Sequence, residues 1–224
     1  MRKYYKYTMN ITWANILAII IMIVTIIPVT KYINYFFEND LKNLVLLCLL
    51  YIIWMFLHEA LHGLAHILCG VKPKELSYGA KLEKSVLFCL VRREVSKKDI
   101  LISLIFPFFF IGVVTYIVAL IIDSPMLALL SVFNMSGASM DLIMFYHFSK
   151  MKNDITYIEP GDGTSFYLMS NNPVKKLFGL KLVEEGEYKK DMFKDIKYKS
   201  FDISKTSLII LIVYIVMVSI AMFL

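Results

Sequence analysis

Residues 44–68 read LVLLCLLYIIWMFLHEALHGLAHIL. The run is long and apolar enough to cross a hydrocarbon core as a helix. It nevertheless carries His58, Glu59, His62 and His66 at positions where lipid-compatible side chains are the rule. Ionisable groups at membrane depth are costly, and they mark functional sites. His58-Glu59-Ala60-Leu61-His62 has the spacing His-Glu-x-x-His. On a helix, residues four apart stack on one face. Both imidazoles can therefore reach one zinc ion (Zn²⁺), with Glu59 beside them as a general base.

Outward from this helix the composition stays apolar. Of 224 residues, 58% are hydrophobic, and the mean hydropathy is +0.66. That excludes an ordinary water-soluble domain and fits a polytopic membrane protein. Five spans are expected, at 11–29, 44–69, 100–122, 126–148 and 206–224. Pro28 closes the first, Gly70 sits where a helix C-terminus favours glycine, and Pro107 predicts a kink in the third. Residues 75–82 and 85–95 are strand-like and too short to span as a helix, which predicts a β-hairpin connector. Residues 155–159 and 165–169 flank Pro160-Gly161-Asp162-Gly163 and read as a second hairpin. The expected fold is an all-α polytopic membrane protein of about five transmembrane helices, with a short β-hairpin connector and a small cytoplasmic polar segment. Its parts are a membrane core over 1–150, the polar segment over 151–205 and a C-terminal transmembrane helix over 206–224.

Charge orients this arrangement. With the N-terminus inside, 22 of the 24 lysines and arginines lie on the cytoplasmic side. The positive-inside rule then predicts a multi-pass cell-membrane protein with its N-terminus cytoplasmic and its C-terminus outside. Arg2, Lys3 and Lys6 among Tyr4, Tyr5 and Tyr7 suit a membrane interface, and no cleavable signal peptide is evident. The basic stretches 72–98 and 175–199 are read as topology signals attracted to an anionic lipid bilayer, with no nucleic-acid partner. In the second stretch the lysines alternate with Glu184, Glu185, Glu187, Asp191 and Asp195, the pattern of a solvated face. Cys48, Cys69 and Cys89 show no C-x-x-C spacing and offer no cysteine zinc site.

A catalytic zinc needs a third protein ligand. His66 lies two turns from His58, roughly 12 Å along a helix, too far for His58, His62 and His66 to share one ion. His147 stands near the interface end of its span. Asp141 is the best candidate. Spans two and four run in the same direction, and His58 and Asp141 both lie roughly 21 Å from their span starts. Equal depth is what a shared ion requires.

The arrangement resembles the site-2-protease class of intramembrane zinc metalloproteases, and is similar still more closely to bacterial zincin peptidase families of unknown function. The resemblance rests on His58, Glu59 and His62, on the stretch Asn134-Met-Ser-Gly-Ala-Ser-Met-Asp141, and on the basic connector and Pro107-bearing span between them. It covers roughly residues 44–170. It implies zinc on His58, His62 and Asp141, water activation by Glu59, and an asparagine, here Asn134, that positions substrate. The class pattern Asn-x-x-Pro before Leu-Asp-Gly is absent: no proline follows Asn134, and Asp141 lies between methionine and leucine. Ser136 and Ser139 are alternatives for part of the work of Asn134. The expected function is intramembrane hydrolysis of peptide bonds in a membrane protein or peptide substrate. A non-catalytic metal-binding membrane scaffold or assembly factor is the alternative, and a metal transporter a weaker one. Glu59 favours the enzyme, since a structural site needs no base beside its ligands.

Overall fold

The computed structural model describes residues 1–33, 41–81, 86–161, 163–174, 177–189 and 192–193. The expected span at 206–224 and parts of the polar segment 151–205 lie outside the described residues. Helix α1 (Ile11–Ile26) begins where the Asn10 side chain accepts the backbone N–H of Thr12 at 3.1 Å, as an N-cap does. It runs on through a 3-10 turn, Ile27–Tyr32. Helix α2 (Leu41–Leu68) carries the histidines. Helix α3 (Lys97–Pro107) starts at the Ser96 cap, continues as a π-helical segment, Phe108–Val114, and resumes as α4 (Thr115–Ile121). Helices α5 (Pro125–Gly137) and α6 (Ser139–Lys150) meet at a bend of 50°.

Among the described residues, three stretches are long and apolar enough to cross a membrane, Ile11–Tyr32, Lys42–Leu68 and Lys97–Ile121; the bent pair α5–α6 counts as a fourth if it is one span. Their outer faces carry exposed Ile19, Ile20 and Ile23 on α1 and Ile53, Phe56, Leu57, Leu64 and Ile67 on α2. Apolar stripes of that extent on helices of spanning length belong against lipid.

The all-α expectation is overturned. The protein is mixed α/β, with a five-stranded antiparallel sheet in the order β4-β5-β6-β1-β7 and a two-stranded sheet β2-β3. The strands are β1 (Lys3–Met9), β2 (Leu76–Lys81), β3 (Val86–Val91), β4 (Val95–Ser96), β5 (Thr156–Ile158), β6 (Ser165–Ser170) and β7 (Leu180–Glu187). Both expected hairpins are present, as β2–β3 and β5–β6. The difference lies in β1 and β7. The N-terminal segment, whose basic and aromatic residues suit a membrane interface, forms a central strand, with Tyr5 opposite Leu168 on one side and Glu185 on the other.

Both faces of β1 are covered, so its sequence does not alternate cleanly between apolar and polar. Tyr5 and Tyr7 point into a core with Phe148, Met144, Ile100, Leu104 and Phe166. Tyr4 faces the opposite way, with Ile158 and Met169. A strand buried on both faces loses the period-two signal that would have identified it.

The sheet lies at one end of the helices because β1 leads directly into α1, β4 leads into α3, and α6 leads out to β5. At the other end, Lys31 pairs with Asp123 at 2.6 Å and the Tyr32 hydroxyl donates to the same carboxylate at 2.5 Å. Helix α2 runs antiparallel to α3, since Trp54 bonds the Ile111 carbonyl and His62 the Ser103 carbonyl. It runs parallel to α5–α6, since Tyr51 packs on Phe133 and His58 meets Asn134 and then Asp141.

Candidate metal centre

Along α2, the residues Tyr51, Trp54, Met55, His58, Glu59, His62 and His66 form one inward strip that lines a cavity of about 300 Å³. The strip follows i, i+3, i+4, i+7 spacing and lies opposite the lipid-facing stripe. The cavity is closed on its other sides by α3 and α5–α6, by Leu87, Phe88 and Cys89 of β3, and by Glu159 and Gly163 beyond β5.

Three side chains converge within it. His58 Nε2 lies 3.1 Å from His62 Nε2 and 3.2 Å from Asp141 Oδ2, and His62 Nε2 lies 3.6 Å from the same oxygen. A tetrahedral zinc ion with bonds of 2.0–2.1 Å holds its ligand atoms about 3.3 Å apart. The triangle therefore has the dimensions of one face of a zinc site.

The proton positions agree with that reading. His58 donates its Nδ1–H to Asn134 Oδ1 at 2.8 Å, and His62 donates its Nδ1–H to the Ser103 carbonyl at 2.9 Å. A neutral imidazole that donates from Nδ1 carries its lone pair on Nε2. Two such lone pairs and a carboxylate oxygen, all within 3.6 Å, repel one another unless a cation lies between them. The donor set thus fits a divalent ion of the zinc type, with each histidine oriented by a protein acceptor on its far nitrogen.

Pro107 explains the acceptor beside His62. In an unbroken helix the Ser103 carbonyl would accept the N–H of residue 107, but proline has none. The freed carbonyl takes the imidazole proton instead. Asn134 is fixed from the same place, because its Nδ2 donates to the Pro107 carbonyl at 3.3 Å. Asn134 and Asp141 are seven residues apart, two helical turns, and so lie on the same side of α5–α6. They hold the His58 imidazole from its two nitrogens.

Glu59 also offers a carboxylate oxygen within 4.8 Å of the histidine nitrogens. Asp141 Oδ2 lies 3.2 and 3.6 Å from the two nitrogens, so both carboxylates stand at the candidate centre. The Glu59 carboxylate accepts the backbone N–H of Cys89. Burial, followed by the nearby Glu59 charge, pushes the Cys89 thiol up to about 12. It therefore stays protonated and is no competing thiolate ligand.

The remaining sequence candidates lie elsewhere. His66 lines the same cavity one turn beyond His62, outside the triangle. His147 donates from Nε2 to the Phe178 carbonyl at 2.7 Å, away from the centre. Ser136 bonds the Phe133 carbonyl of its own helix at 3.0 Å. Asn134, expected from the resemblance to position substrate, has both ends of its amide engaged within the protein. Sequence reading did not find Ser103 or Glu159. The only signal for Ser103 was a proline four residues later.

Gly63 completes the local design. A Cβ there would fall 1.9 Å from the Tyr78 hydroxyl and 3.3 Å from Cys89 Sγ. The hairpin therefore rests directly on α2, one residue past His62.

Residues 51–156, the segment that contains His58, Glu59, His62, Asn134 and Asp141, match the family model described as "Putative zincin peptidase". No curated protein and no solved structure matches the chain.

Proposed function

We propose that this protein is a membrane-bound zinc metallopeptidase that hydrolyses peptide bonds of membrane-embedded or membrane-adjacent substrates. The observation that carries the reading is the convergence of His58 Nε2, His62 Nε2 and Asp141 Oδ2 within 3.1–3.6 Å, with Glu59 beside them at the wall of a cavity. The family match supports peptidase chemistry, and the three apolar helices support a membrane setting.

Zinc held by His58, His62 and Asp141 would supply a water with a pKa of about 7 and polarise the scissile carbonyl. Glu59 takes the proton from the attacking water and returns it to the leaving amine. Asn134 and the Ser103 carbonyl keep the two imidazoles in the tautomer and orientation that the ion needs. Met55, Phe133, Leu104 and Met144 give the cavity apolar walls, which strengthens the electrostatics at the reacting centre.

The edge of β3 supports an extended substrate. β3 pairs with β2 through the register Leu76↔Val91 to Lys81↔Val86, and the N–H of Arg92 points to the Glu75 carbonyl. Successive residues alternate direction, so the backbone groups of Leu87 and Cys89 face away from β2. The Cys89 N–H is taken by Glu59; the Leu87 groups and the Cys89 carbonyl border the cavity and can pair with an added strand. The basic connectors gather at the sheet-bearing end, so the positive-inside rule favours a cytoplasmic sheet in the cell membrane.

Co-expression with single-span membrane proteins tests the reading. Fragments formed by the wild type and lost in Glu59→Gln, at equal zinc content, are expected. Identical fragment patterns from the two proteins would overturn it and leave a metal-binding scaffold.

A further inference from the structure

The mechanism leaves the His66 imidazole of the cavity unused. His66 is 4% exposed, lines the cavity, and its Nδ1 has no hydrogen-bond partner among the described residues. A buried polar nitrogen without a partner is uncommon and calls for an explanation. Its position supplies one. His66 lies one turn past His62, about 6 Å along the axis of α2. Because α3 runs antiparallel to α2 and α6 runs parallel to it, the groups at that level are Ile100, three residues before Ser103, and Met144, three residues after Asp141. Both line the cavity, as do Leu104 and Met140 at the level of the metal triangle. Around His66 the cavity lining thus consists of Ile100 and Met144, with Asp99 and Arg93 close enough to act on the imidazole electrostatically.

We infer that this part of the cavity selects the substrate residue next to the scissile bond, and that His66 is the specificity-determining residue that favours a long, mainly apolar side chain ending in a neutral hydrogen-bonding group, such as tyrosine. The walls reward apolar area. A side chain must reach roughly 6 Å beyond the metal level to touch the imidazole, which shorter residues do not do. A polar tip then gives the imidazole a partner, and an apolar tip of the same shape leaves the ring unpaired. Met144 suits such a pocket, because its side chain adapts to the ring that enters.

The inference rests on the metallopeptidase reading for its substrate, so its test reads binding, independently of turnover. The probes are two peptide hydroxamates that chelate the metal and differ only in one side chain, 4-hydroxybenzyl or benzyl. Each is titrated into the zinc-loaded full-length protein in detergent. Calorimetry and the fluorescence of Trp54, which lines the cavity, follow binding. The wild type is expected to prefer the hydroxybenzyl probe about tenfold. His66→Leu is expected to erase or reverse that preference at unchanged zinc content, and His66→Gln to keep part of it. A wild type that does not discriminate, or a preference that survives in His66→Leu, overturns the inference. Absence of peptide cleavage with the probe preference intact would instead count against the proposed function alone.

Discussion

The Nδ1–H of His62 is accepted by the Ser103 carbonyl at 2.9 Å, and that carbonyl is available because the residue four positions later is Pro107. A break in the helix ladder, usually a defect, here orients a candidate metal ligand. Pro107→Ala restores an N–H that competes for the carbonyl. Zinc affinity, measured by chelator competition, is expected to fall about tenfold or more, with little change in helix content by circular dichroism. Unchanged affinity would show that His62 does not depend on this acceptor.

Asp141→Ala removes the carboxylate that lies 3.2 Å from His58 and 3.6 Å from His62. The purified variant is expected to lose its stoichiometric zinc, whereas Glu59→Gln is expected to retain it. Elemental analysis of the two proteins separates ligand from base. Zinc retained by Asp141→Ala would place the third ligand elsewhere.

For Asn134 the informative pair is Asn134→Ala and Asn134→Asp. Both remove the Nδ2 donation to Pro107, but only the alanine also removes the acceptor for His58. Zinc affinity should drop roughly tenfold in the alanine variant and much less in the aspartate one. Equal losses would mean that the asparagine acts through its amide N–H.

Gly63→Ala places a methyl group 1.9 Å from the Tyr78 hydroxyl, so the Tyr78 ring or the β2–β3 hairpin that carries it must shift against α2. A lower melting temperature and weaker activity are expected. Tyr78→Phe in the same chain removes the clashing oxygen and should recover part of both. A melting temperature unaffected by Gly63→Ala would refute the close seating.

Asp154 links stability to pH at the sheet. The backbone N–H of Asn171, at 2.8 Å, holds its carboxyl below the ordinary value of 3.8, with the Asn172 side chain also donating. A carboxyl lowered in the folded state contributes stability above its unfolded pKa and loses it as pH falls through the folded value. Melting temperatures of the wild type should therefore fall in acid below about pH 4 more steeply than those of Asp154→Asn. Parallel curves would contradict the linkage.

Much of this molecule is legible over short windows. The spans ending near Tyr32, Leu68 and Ile121 are runs of apolar residues, and both hairpins are marked by strand pattern and turn residues. His58, Glu59 and His62 stand four residues apart or closer, so helix geometry alone brings them to one face. Equal membrane depth singled out Asp141 because two parallel helices share one ruler, and the structure sets its Oδ2 3.2 Å from His58.

What tertiary structure decided lies in pairings between distant residues. Lys3 of β1 meets Ser170 of β6 and Glu187 of β7, and no local pattern encodes a contact across most of the chain. Strand pairing is set by which faces find cover, and β1 is covered on both. Ser103 becomes the partner of His62 only once α3 packs antiparallel on α2 at that level. His66, a poor ligand by spacing, becomes the far wall of the cavity for the same reason. Covalent order and periodicity define elements and the residues that share a face; which faces then meet depends on packing, and packing converts a motif on one helix into a site built from four segments.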